Sequence, residues 1–324
     1  MRILLLHSDV PRGAPPDEFD TIVTAETLAA VLAERGHRVT QAAFVPSPSA
    51  LDQALADGGP ELVFNLVESV FGQGNLAGLA AAMLEKRGIC FTGASSAAIS
   101  CCADKPFTKR LLRSADIPTP DWSVPPRWDG LADDQIFVVK SATEDCSIGL
   151  DDAAVVRGRE AVCARAALSA QSHGGSWFAE IYSPGREFNV SLLQTEQGPR
   201  VLPIAEIRFS NWAPHRPRLV SYAAKWDSNS PDSVATPRVF GIDAEAPELA
   251  RSLGQLAVAV WLLFGLRGYA RVDFRLDANG APTILEVNPN PCLEPEAGFA
   301  AAALKAGIPF ADLIDRICAI ALVD

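Results

Sequence analysis

Residues 269–291, YARVDFRLDANGAPTILEVNPNP, decide how the chain is read, because they fold on paper into a hairpin with one carboxylate-bearing face. Asn279-Gly280 is a strong signal for a two-residue turn, since both central residues of a type I′ turn need positive φ, which Asn and Gly tolerate best. Pairing Ala278 with Ala281 sets Asp273 opposite Glu286 and Arg271 opposite Asn288. Alternation puts these four on one face, with Val272, Phe274, Leu276, Leu285 and Val287 on the other. Opposed side chains lie roughly 4.5 to 5.5 Å apart at Cβ, and like charges so placed repel. Two facing carboxylates with an amide oxygen beside them make sense around a hard divalent cation such as Mg²⁺, with Mn²⁺ as an alternative. Such a cation takes a few protein oxygens together with phosphate oxygens and water, so the face reads as a nucleotide site. The competing account is a solvated outer face on which Arg271 and Arg275 neutralise the acids.

The chain has 324 residues, a formal charge of −11 and 48% hydrophobic residues. That is length for two or three domains with sizeable cores. The negative charge argues against nucleic acid or an anionic membrane as partner, so any phosphate site has to be basic locally. Met1 to Leu6 reads as a first strand rather than a signal peptide. The apolar stretch Leu249 to Leu266 is shorter than the ~20 residues that span a bilayer and contains Arg251 and Gln255. Seven scattered cysteines without metal spacing suit a reducing cytosol, so a cytoplasmic protein is expected. The four histidines fall in no metal or nucleophile motif, which leaves catalysis to Lys, Arg, carboxylates and metal.

Over the first ~100 residues strands at Arg2–Leu6, Arg38–Ala43 and Glu61–Leu66 alternate with helices at Thr24–Arg35 and Ala77–Arg87, the pattern of a parallel α/β sheet. No G-x-G-x-x-G follows the first strand, so a dinucleotide cradle is not supported. A second unit holds a helix over Lys105–Ser114, a strand ending in Lys140, a turn-rich loop over Ser141–Gly149, a helix over Arg159–Gln171 and a strand through Trp177–Tyr182. The third is mostly strands around one helix with an apolar stripe of Leu249, Leu253, Leu256, Val260 and Leu263, between Asp243 and Gly265 as start and stop signals. Arg208–Gly241 is too long for a simple connector and reads as a lid or a disordered loop. The expected division is 1–103, 104–184 and 185–324.

Lys140 ends an apolar strand before a small-residue loop with Ser147 and Gly149, where a lysine and loop N–H groups can share phosphates. Lys105 opens a helix, a mildly unfavourable place that an anionic ligand would correct. Glu180 and Glu187 bracket the turn SPGR and are either edge charges or acceptors for an adenine amino group and ribose hydroxyls. Lys225 matters if its loop closes over a site.

The order of these segments resembles an ATP-grasp ligase, closest to the D-alanine–D-alanine ligase group, over nearly the whole length. Six collinear stretches carry the resemblance: 101–120 (CCADKPFTKRLLRSADIPTP), 136–149 (IFVVKSATEDCSIG), 178–193 (FAEIYSPGREFNVSLL), 221–227 (SYAAKWD), 268–280 (GYARVDFRLDANG) and 284–291 (ILEVNPNP). It implies a Rossmann-like first domain, α+β in the C-terminal part, and two α+β subdomains clamping ATP. It also implies that Lys105, Lys140 and Lys225 hold ATP phosphates under the Ser147 loop and that Glu180 to Ser183 line the adenine pocket, with Glu187 on the ribose. Asp273, Glu286 and Asn288 would be the Mg²⁺ ligands, and Arg271 the arginine that steadies the acyl phosphate and oxyanion.

The departures concern the other half of the site. A family latch of Ser, Tyr and Glu maps onto Cys146, Trp226 and Glu18, with Asp20 as the alternative to Glu18, and cannot form from those residues, so closure is expected to rely on packing. Glu68-Ser69 stands in place of the family's histidine-glycine, and Ala297-Gly298 in place of a Ser-Leu pair that meets the acceptor carboxylate. Glu68, Glu294 and Glu296 add carboxylates near the amino-acid cleft. The expectation is an ADP-forming carboxylate–amine ligase acting on an amino acid or small peptide other than D-alanine. Its alternatives are D-Ala–D-Ala ligase itself and an ATP-binding protein without catalysis. Expected partners are small molecules, with no nucleic acid or membrane and a homodimer left open.

Overall fold

The first strand, β1 (Arg2–Ser8), carries four apolar residues in a row, and all four of Ile3 to Leu6 are no more than 1% exposed. A continuous apolar run is what a parallel strand covered on both faces requires. In the computed structural model, which describes residues 1–323, β1 lies between β2 (Arg38–Phe44) and β3 (Leu62–Leu66), all parallel. Ile3 and Leu5 face a core with Leu28 and Leu32. Leu4 and Leu6 face another with Ala80 and Leu84.

The helix expected from Thr24 begins eight residues earlier and spans Pro16–Glu34, with Pro16, Asp17 and Glu18 in its first turn. Proline and acids are the residues a helix start favours. Asp17, Glu18 and Asp20 are therefore held on a helix rather than on a free loop. Helices Pro48–Gly58 and Ser96–Ala103, absent from the sequence reading, complete this part.

A second, antiparallel sheet is built from β4 (Trp122–Ser123), β5 (Ile136–Ser141), β6 (Val155–Arg157) and β7 (Trp177–Ile181) in the order β4-β7-β5-β6. Helix Gly158–His173 packs on it through Val162 and Ala166. The third sheet comprises β8 (Glu187–Thr195), β9 (Gly198–Val201), β10 (Ala205–Ile207), β11 (Arg238–Phe240), β12 (Tyr269–Leu276) and β13 (Pro282–Asn288). Its order is β11-β10-β8-β12-β13, with β9 on β8.

The long helix spans Pro247–Leu263 and buries Leu253, Ala257, Val260 and Trp261. The expected stripe is offset: Leu249 and Leu256 are only partly buried, Leu263 is exposed, and Asp243 belongs to a separate short helix, Ile242–Glu245. Pro247 at the first turn sets the true start. Helices Gly298–Lys305 and Phe310–Ala321 return to the first sheet, where Phe299, Ile314 and Ile317 join Ile3 and Leu5.

Two departures cancel in the β12–β13 hairpin. Asp277, not Ala278, closes the loop: its N–H bonds Ala281 O at 2.8 Å, and Gly280 N–H returns to Asp277 O at 3.1 Å. Only Gly280 in the loop has positive φ, 82°. The Asp277 carboxylate accepts the N–H groups of Asn279 and Ala281, both at 2.8 Å, a local competitor that displaces the two-residue turn. Pairing is thereby shifted by one, with Leu276 opposite Pro282 and Phe274 opposite Ile284. An irregularity after Asp273, with Leu285 as the extra residue, restores Asp273 opposite Glu286 and Arg271 opposite Asn288. Ile284, not Leu285, joins Val287 as a buried side chain of this strand.

Segment Arg208–Gly241 is structured as helices Tyr222–Trp226 and Pro231–Ala235 followed by β11. Ser221 Oγ caps the first helix by accepting Ala224 N–H at 3.1 Å. Arg216 fastens the segment to Asp152 and Asp232 at 2.7 to 2.9 Å.

Candidate active site

Asp273 is the centre of the hairpin face. Arg271 grips it with two donors, Nε to Oδ1 at 2.8 Å and Nη2 to Oδ2 at 2.9 Å. Asn189 Nδ2 of β8 donates to Oδ1 at 2.8 Å, and Asn288 Nδ2 to Oδ2 at 3.3 Å. Each contact follows from strand register, because Asp273 stands between Asn189 and Glu286. Burial pushes the Glu286 carboxyl upward, but the charges of Lys105, Lys225, Arg271 and Lys140 outweigh it and hold the group at about 2. It is ionised at any physiological pH. The surroundings of Glu286 are thus locally cationic in a chain of net charge −11.

Lys105 reaches Asp145 Oδ1 at 2.5 Å and Glu144 O at 2.9 Å, which ties the first turn of its helix to the small loop. Asp104 caps that helix by accepting Phe107 N–H at 2.8 Å. Lys140 Nζ lies 2.5 Å from Glu180 Oε1, and Lys109 Nζ lies 2.6 Å from Glu180 Oε2. Both oxygens of Glu180 are thus committed to lysines. Glu187 is held by Arg275, whose Nε and Nη2 approach Oε2 at 3.1 and 3.0 Å and whose Nη1 donates to Ser183 O at 2.9 Å. Arg275 is buried against these partners rather than solvated on an outer face.

The loops over this cluster are joined by a latch, which corrects the expectation that closure relies on packing. Tyr222, one turn before Trp226, donates its hydroxyl to Asp17 Oδ1 at 2.5 Å. Trp226 Nε1 donates to the Cys146 carbonyl at 3.1 Å, so the cysteine takes part through its backbone. Ser147 Oγ donates to Val220 O at 3.0 Å, and Tyr222 N–H bonds Leu150 O at 3.1 Å. The partner in the first unit is Asp17, neither Glu18 nor Asp20. Cys146 and Ser147 both adopt positive φ, 60° and 62°, a costly backbone that these contacts hold in place. Gly74 N–H adds a bond to Glu144 Oε2 at 3.1 Å.

A second group of carboxylates gathers around Glu68. Ser8 Oγ fixes the Glu68 turn by accepting the N–H groups of Glu68 and Ser69 at 3.0 and 3.1 Å. Loss of hydration among its neighbours first, and then the charges of Asp20, Asp145 and Asp17, push the Glu68 carboxyl up toward about 8, an upward shift that is tempered because the residue is exposed. Asp20 is raised by burial, against the Cys292 thiol that donates to it at 3.3 Å. Glu294 is raised by burial and then by Asp20. A small cavity of about 10 Å³, room for roughly one water, lies behind Glu68, lined by Thr21, Asn65, Tyr269, Asn290 and Cys292. Buried Asn65 Nδ2 and Asn290 Nδ2 have no hydrogen-bond partner among the described residues. At the far end Arg238 donates to the Glu296 carbonyl at 3.1 Å and lies against Gly298, where a helix begins. Burial and then Arg271 push its guanidinium downward, so the two arginines are neighbours.

A family model described as D-ala D-ala ligase C-terminus matches residues 135–319, more than half of the chain. The chain belongs to the D-Ala–D-Ala ligase family. It is an ATP-grasp ligase of that kind, ADP-forming, and the family uses ATP with a divalent metal. Among its relatives, the uncharacterized protein y4sG of Sinorhizobium fredii is 31% identical, covering 96% of this chain and 91% of its own length. The D-alanine–D-alanine ligase of Moorella thermoacetica is 28% identical over 96% of this chain and 97% of that one. The fold is that of the Bacillus anthracis D-alanine–D-alanine ligase crystallised with ATP, at a TM-score of 0.75 and 21% identity, with 100% of this chain and 98% of that chain covered.

For a D-Ala–D-Ala ligase family member the donors here fit a hard metal: two ionisable carboxylates and an amide oxygen, Asn288 using only its Nδ2 toward Asp273. No set of three or more His, Cys, Asp or Glu side chains suited to a metal occurs among the described residues, so a metal on this face would draw on Asn288 as well as the two carboxylates. Sequence reasoning passed over Lys109, Asn189, Asp17 and Tyr222. Lys109 and Asn189 were legible in principle, since TKRLL repeats the lysine one helical turn after Lys105 and EFNV puts an amide opposite the metal strand. Asp17 and Tyr222 are 205 residues apart and meet only in the folded chain.

Proposed function

We propose that this protein is an ATP- and Mg²⁺-dependent carboxylate–amine ligase that joins an amino acid or small peptide other than D-alanine through an acyl phosphate. The observation that carries the reading is the hairpin face: Asp273, Glu286 and Asn288 stand together, and Lys105, Lys140, Lys225 and Arg271 keep Glu286 ionised. In this reading Lys105, Lys140 and Lys225 meet the phosphates, with Ser147 and its loop as the small lid. Glu180 to Ser183 border the adenine, and Glu187, kept in place by Arg275, takes the ribose. Asp273, Glu286 and Asn288 would hold the metal, whose charge would offset that of the phosphates. Arg271 steadies the acyl phosphate and the oxyanion formed when the amine attacks. Residues 1–103 would supply the amino-acid side, 104–184 and 185–324 the two halves of the clamp.

The substrate reading rests on the cleft opposite. Arg238 and the start of helix Gly298–Lys305 offer a place for a carboxylate, while Asp20, Glu68 and Glu294 offer one for an extra cationic group. D-Ala–D-Ala ligase itself is the second reading, favoured by the names of the relatives. Phosphate release from ATP, measured across a matrix of amino acids and dipeptides with product masses, separates these readings. The proposal fails if D-alanine alone gives dipeptide with kcat/KM of roughly 10⁴ M⁻¹s⁻¹ or above.

A further inference from the structure

The Lys109–Glu180–Lys140 group holds two lysines for one carboxylate, and the two are not equivalent. Lys109 is sealed in: its side chain is 1% exposed, it donates to Thr119 Oγ1 at 2.8 Å, and Thr119 in turn donates to Ile284 O at 2.7 Å beside the irregularity that aligns Glu286. Lys140 ends β5, is 12% exposed, and among the described residues has Glu180 as its one ion-pair partner. Glu180 is 1% exposed. A carboxylate buried that deeply cannot be left alone, since removing the partner of a buried pair costs on the order of 3 to 5 kcal/mol. If Lys140 were the single cation on Glu180, moving to a phosphate would incur that cost.

We propose that Lys109 is the positioning residue that makes Lys140 available to the nucleotide, by remaining on Glu180 as its standing counter-charge while Lys140 exchanges a carboxylate oxygen for a phosphate oxygen. The group carries one net positive charge before the exchange, and that surplus is what an anionic ligand meets. This inference rests on the reading of Lys140 as a phosphate lysine and adds the residue that acts through it. Burial presses the Lys109 ammonium down to about 8 against the pull of Glu180, so the group is still mostly charged at neutral pH. Glu180 in turn is kept low despite its burial by Lys109 and Lys140 together.

The test is calorimetric binding of ATP and, separately, adenosine to the full chain carrying Lys109→Met, Glu180→Gln, or both. Lys109→Met locks Lys140 onto Glu180, so the Kd for ATP rises at least about tenfold, the equivalent of ~1.4 kcal/mol, while adenosine binds as to wild type. Glu180→Gln frees Lys140 and leaves Lys109 on Thr119, its ammonium pressed further toward the neutral form by burial, so adding Lys109→Met to it leaves the Kd for ATP within about threefold, ~0.7 kcal/mol, of Glu180→Gln alone. That comparison also stands if Lys109→Met by itself does not fold, because the double variant buries no unpaired charge. ATP binding unchanged in Lys109→Met overturns the proposal, as does equal weakening of ATP and adenosine, or a double variant as impaired as the two losses added. A wild-type chain that binds adenosine but gains nothing from the phosphates overturns the phosphate reading of Lys140 instead.

Discussion

On the wall that carries Lys140 and the hairpin face the acids are compensated: Glu180 sits between Lys109 and Lys140, Glu187 is on Arg275, and Asp273 is in the fork of Arg271. On the opposite side Asp20, Glu68 and Glu294 have no cation paired to them among the described residues, and all three carboxyl groups are pushed upward. Paired charges define a surface that is finished before its ligand arrives, as electrostatic preorganisation requires. Unpaired ones leave a surface on which like charges repel. The two walls therefore differ in what a substitution should do: removing a charge on the first wall breaks a working arrangement, whereas on the second it relieves repulsion.

The sharpest way to break this comparison is at the hairpin. Glu286→Gln or Asp273→Asn should lower kcat by on the order of 10³ or more, since each removes a carboxylate from the metal face and charge neutralisation supplies most of phosphoryl-transfer catalysis. The thermal midpoint should fall, because Asp273→Asn breaks the Arg271 fork and Glu286→Gln leaves the surrounding lysines without their counter-charge, so the rate is to be read on folded protein below that midpoint. A variant with wild-type rate at limiting Mg²⁺ removes the metal assignment.

The latch spans both walls and should give an intermediate effect. Tyr222→Phe leaves the buried Asp17 without its 2.5 Å donor. Hydrogen bonds to charged groups are worth about 1.5 to 3 kcal/mol, so coupled turnover should drop about 10- to 100-fold while ATP hydrolysis without product rises. The ratio of phosphate released to amide formed is the measurement. An unchanged ratio means the lids close without this bond.

The smallest effect belongs to Glu68→Gln. The Glu68 carboxyl is raised in the fold, so between its unfolded range and about 8 the native state binds more protons than the unfolded chain, and stability falls as pH rises through that window. Glutamine removes the fall. The thermal midpoint of the variant should exceed wild type by on the order of 1 °C at pH 8 and by less at pH 5, solvent access at Glu68 keeping the gain small. A variant that melts lower at pH 8 would indicate a cation on this wall.

The carboxylate face was legible from YARVDFRLDANGAPTILEVNPNP, yet partly by compensation, since the assumed two-residue turn and the omitted extra residue at Leu285 cancel in the register. The first sheet was legible because ILLL and LVFNL are runs that only a doubly covered strand explains. Helix ends were not, where a proline start moved the boundary of Pro16–Glu34 and of Pro247–Leu263. Nor was the latch, because the Ser, Tyr and Glu positions were sought at Cys146, Trp226 and Glu18 while the bonds run through a backbone carbonyl, Tyr222 and Asp17.

By itself the sequence determined which residues could share a strand face and in what order the segments follow, because alternation and turn chemistry are local and act over a few residues. The family, the acids of the hairpin face and the lysines Lys105 and Lys140 come from that level. Tertiary structure alone decided which charges are paired. Lys109 meets Glu180 across 71 positions, and Tyr222 meets Asp17 across 205, distances over which no periodicity carries information. Ion-pair energy depends on separation and on how much water is excluded, and both are set by packing between elements remote in the chain.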